Sequence, residues 1–395
     1  MKNEKIFING NGYSSQNVLV IAEIGTSHGA DPVKAKELIE AAAEAGADCI
    51  KFQIVYAGEI LHPKTGEVLL PGGKISLFDR FKELELSPSF YAEMKERVEK
   101  KGLIFLCTPF GLQSAGELNS LKPKCMKIAS PELNYTALLK EIASFRLPVL
   151  LSTGVSKLAD IEEALNILCD DLNKPNTEIP DSGNMSRVCL LHCVTAYPAP
   201  ETDYNLRILK SLQKVFGIPV GVSDHSLDPE LVPVLAVTQG AAVIEKHFCL
   251  SRNGGGLDDP IALTPPAFSQ MVRAIRKAEQ TGAEETLATM LKDRGRDLVE
   301  SVLGDGVKRL APSEKANYER SNRSIHALCN IKEGEIIEKS MIASLRTEKN
   351  LRPGLPPSWE EKIAGCRAGK FIASGEGVRF EDIVSQTVAQ IPKNV

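Results

Sequence analysis

The sequence has no uninterrupted apolar stretch of about 18 residues, so no transmembrane helix is expected. The amino terminus, MKNEKIFINGNGYSSQN, is polar and lacks the apolar run of a secretion signal. Charge of neither sign is in excess: 47 Lys and Arg stand against 51 Asp and Glu, a formal net charge of -4. No basic field therefore points to nucleic acid or an anionic membrane as a partner. CxxC spacing is also missing among the nine cysteines, several of which lie inside apolar runs such as VCLLHCV. An odd count without a secretion signal reads as reduced, mostly buried thiols in a cytoplasmic protein.

What is present is regular. At 395 residues the chain is too long for one ordinary domain of roughly 100–150 residues, but a β/α barrel takes about 250. Hydrophobic residues make up 43%, enough for a sizeable core. Eight short apolar runs occupy 18–25, 49–53, 104–110, 125–130, 149–154, 188–194, 220–226 and 243–248. They are rich in Val, Ile, Leu and Cys, as strands buried on both faces are. Helical patterns fit 31–47, 88–101, 112–120, 134–144, 157–168, 205–215, 229–239 and 266–281. The clearest opens with Asp31 as a plausible N-cap and Pro32 at the first helical position. Eight strands, each followed by a helix, predict an α/β chain with a (β/α)8 TIM barrel over 1–285. A charged, helical linker follows over 286–321. A small β-rich unit, punctuated by Gly334, Gly354, Gly365, Gly369, Gly375 and Gly377, then occupies 322–395. The long connections 54–87 and 249–265 leave the carboxyl ends of strands, where barrels build active sites. The irregular stretch 169–187 follows a helix and reads as a connection on the opposite rim.

Each strand carries polar groups at its end. In chain order they are Glu23; Lys51 and Gln53; Thr108; Lys127, Ser130 and Glu132; Ser152 and Thr153; His192 with Tyr197 beyond; Ser223, Asp224 and His225; and Glu245, Lys246 and His247. An unpaired buried ion costs several kcal/mol. Internal ion pairs would account for any one lysine as readily as a ligand would. The whole set repeated around one rim points to a shared ligand. Two lysines with several hydroxyls suit an anion, most simply phosphate. His225 and His247 end adjacent strands and suit a metal ion of the Mn, Zn, Fe or Co kind. His28 lies within reach of the same site, and His192 either orients a ligand or fills the core. His62 and His326 read as ordinary loop or surface positions.

In order, these segments resemble the sialic acid synthase family. The matching stretches are IAEIG-x-x-H at 21–28, AAAEAGADCIKFQ at 41–53, KIASPE at 127–132, LSTG at 151–154, LLHCVTAYPAP at 190–200, GVSDHS at 221–226 and AAVIEKHF at 241–248. The C-terminal unit resembles the family's SAF (antifreeze-like) domain through SIHALCNIKEGE, Arg346 and GLPPSW. The resemblance implies condensation of phosphoenolpyruvate with an N-acetylmannosamine-type sugar to a nine-carbon 3-deoxy-2-ulosonic acid. It implies that Lys51, Lys127, Thr108, Ser130, Ser152 and Ser223 bind phosphoenolpyruvate. His225 and His247 would ligate a divalent metal, manganese first, with magnesium or cobalt as alternatives. Glu23 would lie near the metal and the reacting carbons. Gln53, Glu132, Tyr197 and Asp258 would hold the sugar. An arginine, Arg346 or its rival Arg352, would reach a partner's site in a domain-swapped homodimer.

Three positions depart from the family's pattern. Ser27 stands where Asn is frequent, Asp259 where a His follows the aspartate, and Thr195 where some members have Asn. All three fall near the sugar. Two other readings are a phosphoenolpyruvate-dependent synthase of eight- or seven-carbon sugar acids, and a catalytically silent carbohydrate-binding homologue in envelope polysaccharide assembly. The SAF-like unit argues against the first, and retention of the costly Glu23, Lys51, His225 and His247 argues against the second.

Overall fold

The computed structural model describes residues 5–70, 73–172, 187–348 and 350–384. Eight parallel strands form one sheet: β1 (Leu19–Gly25), β2 (Cys49–Ile54), β3 (Ile104–Pro109), β4 (Met126–Ile128), β5 (Val149–Ser152), β6 (Val188–Cys193), β7 (Val220–Asp224) and β8 (Val243–His247). The hydrogen-bonded order is β3-β2-β1-β8-β7-β6-β5-β4. The edge strands β3 and β4 pack side by side without a ladder, so the barrel is nearly closed. Eight helices cover it: α1 (Pro32–Glu44), α2 (Pro88–Lys100), α3 (Leu112–Ser120), α4 (Thr136–Ser144), α5 (Leu158–Leu172), α6 (Ile208–Phe216), α7 (Leu231–Thr238) and α8 (Pro265–Thr281). All sixteen fall where the apolar runs and helical patterns place them. Residues 173–186 of the connection after α5 lie outside the described residues.

Local chemistry explains the elements. Asp31 caps α1 by accepting from the Val33 amide at 2.8 Å, and Pro32 begins the first turn. Ala35, Leu38, Ile39 and Ala42 then bury one face of α1. Burial stabilises each such Leu or Ile side chain by roughly 1.5–3 kcal/mol.

Strand side chains alternate between the barrel interior and the helix layer. The interior begins apolar, with Leu19, Ile21, Cys49, Ile104, Leu106, Cys125, Leu150, Cys189, Leu191 and Val243 in one cluster. A hairpin, Ile6–Ile8 paired with Asn11–Tyr13, closes that end, and its Ile6, Ile8 and Tyr13 join the cluster. One pleat further along, the same interior face carries Glu23, Lys51, Thr108, Lys127, Ser152, Cys193, Ser223 and Glu245. The barrel is thus a dry plug below a charged layer.

Beyond the barrel come α9 (Ala283–Arg294) and α10 (Arg296–Leu303). They occupy the first half of the stretch read as a linker. The chain then runs over the barrel's carboxyl face. There the buried Glu314 accepts from the Val155 and Thr195 amides, each at 2.9 Å. The C-terminal unit pairs β9 (Arg323–Ala327) with β10 (Ile342–Arg346), and β11 (Arg367–Ala368) with β12 (Ile383–Val384). Ile325, Ile331, Ile337, Ile342, Ile363, Ile372 and Val378 form its own small core. In this chain the unit docks on its own barrel, with Arg346 bridged to Leu61, whereas the resemblance implies docking on a partner's.

That docking corrects the reading of His62 as a surface position, and packing within the unit corrects that of His326. His62 is buried against the unit, with Nε2 at 3.3 Å from Ser374 Oγ. His326 is wholly buried in β9, facing Gly375 O at 2.8 Å. No helix among the described residues is long and apolar enough to cross a membrane.

Gly221 in β7 shows how tightly the barrel is wound. A Cβ there would lie 2.4 Å from Val243 O and 2.8 Å from a Leu191 methyl. Gly221→Ala is therefore expected to destabilise the fold by about 1–3 kcal/mol, the usual cost of overpacking. The denaturant midpoint measures this, and an unchanged midpoint contradicts it.

Candidate active site

The charged layer is built around one carboxylate. Glu245 on β8 takes Lys51 Nζ at 2.8 Å through Oε2 and lies 3.7 Å from Lys127 Nζ through Oε1. Ser223 Oγ donates to Glu245 Oε1 at 2.9 Å. Lys51 also lies 3.5 Å from Glu23, and Lys127 donates to Ser152 Oγ at 2.7 Å. Gln53 Nε2 donates to Glu23 Oε1 at 2.5 Å. All four charged side chains are almost wholly buried. The parallel register sets β8 beside both β1 and β7, which brings Ser223 level with Glu245 and Glu23 level with His247.

The charges are unequal in strength. Burial works against the Glu245 carboxylate, but Lys127 and Lys51 together hold it down at about 2. Glu23 has the opposite outcome. Burial, with Glu245 adding, pushes it up to about 7 despite Lys51. Lys51 is raised, because Glu23 and Glu245 overcome its burial. Lys127, further from any carboxylate, is pushed down to about 8 by burial and by Lys51.

His225 and His247 meet at the ends of β7 and β8, with ring centroids 5.4 Å apart. His225 Nδ1 lies 2.9 Å from Val194 O, which places a proton on that nitrogen. Burial opposes a charge on the ring, but Cys193 and Val194 O raise it to about 9, so a metal binding at Nε2 would displace a proton. His247 is held well below its usual range by burial and by His225, and is neutral. Tyr197 stacks on His225 at 4.2 Å, and Asp258 lies 3.9 Å from His247 Nδ1. Among the described residues no group of three or more His, Cys, Asp and Glu stands at metal-binding spacing. The two imidazoles are donors of the kind that would hold a divalent metal.

The remaining candidates sort themselves. Thr108 Oγ1 is buried with no hydrogen-bond partner among the described residues, and Thr108 stands beside Gln53 in register. Ser130 Oγ accepts from the Gly154 amide at 2.9 Å. Glu132 lies where the C-terminal unit docks. Its Oε1 receives Arg346 Nε at 3.0 Å and Nη2 at 2.7 Å, while Oε2 is buried with no hydrogen-bond partner among the described residues. Arg352, the rival of Arg346, is bound to Asp382 inside the C-terminal unit.

His28 does not reach the site. It packs in the helix layer against Phe90 and Phe52, where burial pushes it down to about 4. His192 also faces away from the barrel interior. It binds Tyr204 O at 2.6 Å, and the Tyr204 hydroxyl accepts from the His225 amide at 2.7 Å. It supports the wall behind the site. Lys246 is structural as well, paired at 2.5 Å with Asp224 where both are wholly buried.

Two departures from the family pattern meet each other: Ser27 Oγ donates to Asp259 Oδ1 at 2.5 Å, tying the loop after β1 to the loop after β8. Glu245 and Arg323 are the residues the strand-end reading left without a role. The alternation Val243, Glu245, His247 carried the signal for the first. Nothing local carried one for the second.

The NeuB family's sequence profile matches residues 38–286. This chain belongs to the NeuB family. The N,N'-diacetyllegionaminic acid synthase of Campylobacter jejuni is 33% identical over 92% of this chain and 99% of its own length. The crystal structure of the spore coat polysaccharide biosynthesis protein SpsE of Bacillus subtilis superposes with a TM-score of 0.77 at 30% identity. It covers 97% of this chain and 99% of that one. The N-acetylneuraminic acid (sialic acid) synthetase of Leptospira borgpetersenii gives 0.61 at 28% identity over 80% and 96%. The NeuB profile ends within a few residues of α8, so it spans most of the barrel but not the C-terminal unit.

The shared carboxylate makes a stability prediction. Glu245→Gln leaves Lys51 with Glu23 alone, 3.5 Å away, and takes from Lys127 the carboxylate 3.7 Å from its Nζ. It should cost about 3–5 kcal/mol, as breaking a buried ion pair does. Inorganic phosphate should restore much of the loss in the denaturant midpoint. A variant as stable as wild type, or one indifferent to phosphate, would contradict the arrangement.

Proposed function

We propose that this NeuB-family chain is a synthase that condenses phosphoenolpyruvate with an N-acetylmannosamine-like amino sugar. The product is a nonulosonic acid of the sialic acid type, and phosphate is released by C–O cleavage. The observation that carries the reading is the Glu23–Lys51–Glu245–Lys127 array lying beside the His225–His247 pair.

Each part of the array has a task in that chemistry. Lys51 and Lys127 hold the phosphate, and Glu245 keeps them neutralised until it arrives. Ser152, Ser223, Thr108 and Ser130 supply short donors to the phosphate and the carboxylate. Gln53, Glu132, Tyr197, Asp258 and Arg346 hold the acceptor sugar. His225 and His247 would hold a divalent metal, manganese foremost, which when bound would supply Lewis-acid polarisation of the acceptor aldehyde. Carbon 3 of phosphoenolpyruvate attacks that aldehyde, and positive charge develops at carbon 2. Glu23, ionised, faces that charge. Water then adds at carbon 2, and the tetrahedral intermediate expels phosphate toward the lysines. Holding both substrates in line contributes through orientation.

Phosphate release from phosphoenolpyruvate with a panel of amino sugars tests the reading. The panel comprises N-acetylmannosamine, its 6-phosphate and bacillosamine-related sugars. At least one should support turnover, and the bridging oxygen of labelled phosphoenolpyruvate should appear in phosphate. Label retained in the sugar product rules out C–O cleavage.

Glu23 sets a pH dependence with a definite sign. Its folded-state value of about 7 lies above its ordinary 4.5. Across that window the folded chain keeps a proton that the unfolded chain has lost. The group's contribution to stability therefore fades as pH rises through it. Activity runs the other way, because the ionised form is required. kcat/KM should climb through a limb near pH 7, and Glu23→Gln should lose that limb with about 10²–10⁴-fold of rate. A limb that survives the substitution belongs to another group.

A further inference from the structure

Glu132 has two guanidinium partners, and they are held very differently. Arg323 is wholly buried and reaches Glu132 Oε1 through Nε at 3.1 Å and Nη2 at 2.9 Å. Its remaining donors go to Phe110 O at 2.6 Å, Ser344 O at 3.2 Å and Glu59 O. All five N–H groups of the fork are thereby engaged. Its backbone is clamped as well. The Arg323 amide donates to Asn134 Oδ1 at 3.1 Å, and Asn134 Nδ2 donates to Arg323 O at 2.8 Å. The Tyr135 ring lies 5.2 Å from the guanidinium carbon.

Arg346 is looser. Its side chain is partly exposed, and its hydrogen bonds among the described residues go to Glu132 Oε1. Its guanidinium lies over the Phe110 ring at 5.2 Å. One buried carboxylate thus serves two cations, and only one of them is fixed. Removing the sole partner of a buried carboxylate is strongly unfavourable, whereas one of two partners can leave. The unpartnered Glu132 Oε2 would then lie beside a released guanidinium, offering an acceptor and a donor to an amide or hydroxyl.

We propose that Arg323 is a positioning residue: it is the permanent counter-ion of Glu132, and so leaves Arg346 free to exchange Glu132 for the acceptor sugar. The inference rests on the synthase reading. Without Arg323, Arg346 is the only partner Glu132 has and stays bound to it.

The experiment compares Arg323→Met in two backgrounds, wild type and Glu132→Gln, with steady-state kinetics for both substrates. In wild type the substitution should raise the acceptor KM about tenfold or more while the phosphoenolpyruvate KM moves less than about twofold. In the Glu132→Gln background, where no carboxylate can trap Arg346, it should change the acceptor KM by less than about twofold. Equal losses in both backgrounds would mean that Arg323 only braces the C-terminal unit, and would overturn the proposal. An unchanged acceptor KM in wild type would overturn it too. If Arg323→Met loses its cooperative melt, Arg323→Lys is compared in the same two backgrounds under the same criterion. Wild-type chain that turns over no amino sugar sinks the synthase reading itself, and this inference with it.

Discussion

The site depends on a carboxylate buried between two lysines. In the barrel interior, Lys51 and Lys127 would repel each other and lose their water, and neither cost is small. Glu245 offsets both, and Ser223 holds it in place. Because Glu245 is committed to the lysines, Glu23 is left with the weaker share of positive charge and titrates near neutrality. One acidic residue is therefore locked as a counter-ion, while a second, a strand away, is poised for chemistry. The pattern follows from two-residue alternation on strands whose lower pleats are apolar and whose upper pleats are polar.

This division explains how a rigid scaffold presents a reactive rim. The dry plug below, sealed by the amino-terminal hairpin, fixes strand height and register. The wall behind supports the rim through His192, Tyr204 and the Lys246–Asp224 pair, none of which faces the barrel interior. The strap around Glu314 and the C-terminal unit close over the carboxyl face, so that face is shaped by residues far apart in sequence. Ser27 and Asp259, each unusual against the family resemblance, hydrogen-bond to one another, so the two loops differ as a pair.

Much of this was legible in the amino-acid sequence, and the failures have two causes. Strands and helices were readable because continuous Val, Ile and Leu runs alternate with 3.6-residue patterns punctuated by caps. Which face a given residue takes was harder. Both faces of a parallel strand are apolar, so VCLLHCV does not reveal whether His192 or Cys193 looks inward. Of the two readings of His192, the structure shows the core-filling one, and His28 lies beyond the strand altogether. His62 looked like a loop position because its burial comes from contact between the barrel and the C-terminal unit, and His326 because its partners Thr347 and Gly375 lie far along the chain inside that unit. Arg323 carried no local signal either. Its partners, Glu59, Phe110, Asn134 and Glu132, are separated from it by most of the barrel.

The central claim is that the buried lysines form the phosphate cradle of phosphoenolpyruvate. Calorimetric titration of phosphoenolpyruvate into the wild-type chain and into Lys127→Met, with no sugar present, addresses it directly. Saturable binding to wild type, weakened about tenfold or more in the variant, is the predicted result, since charge-assisted contacts to a buried anion are the strong ones. Equal affinity in the two proteins, or no binding to the wild type, would contradict it.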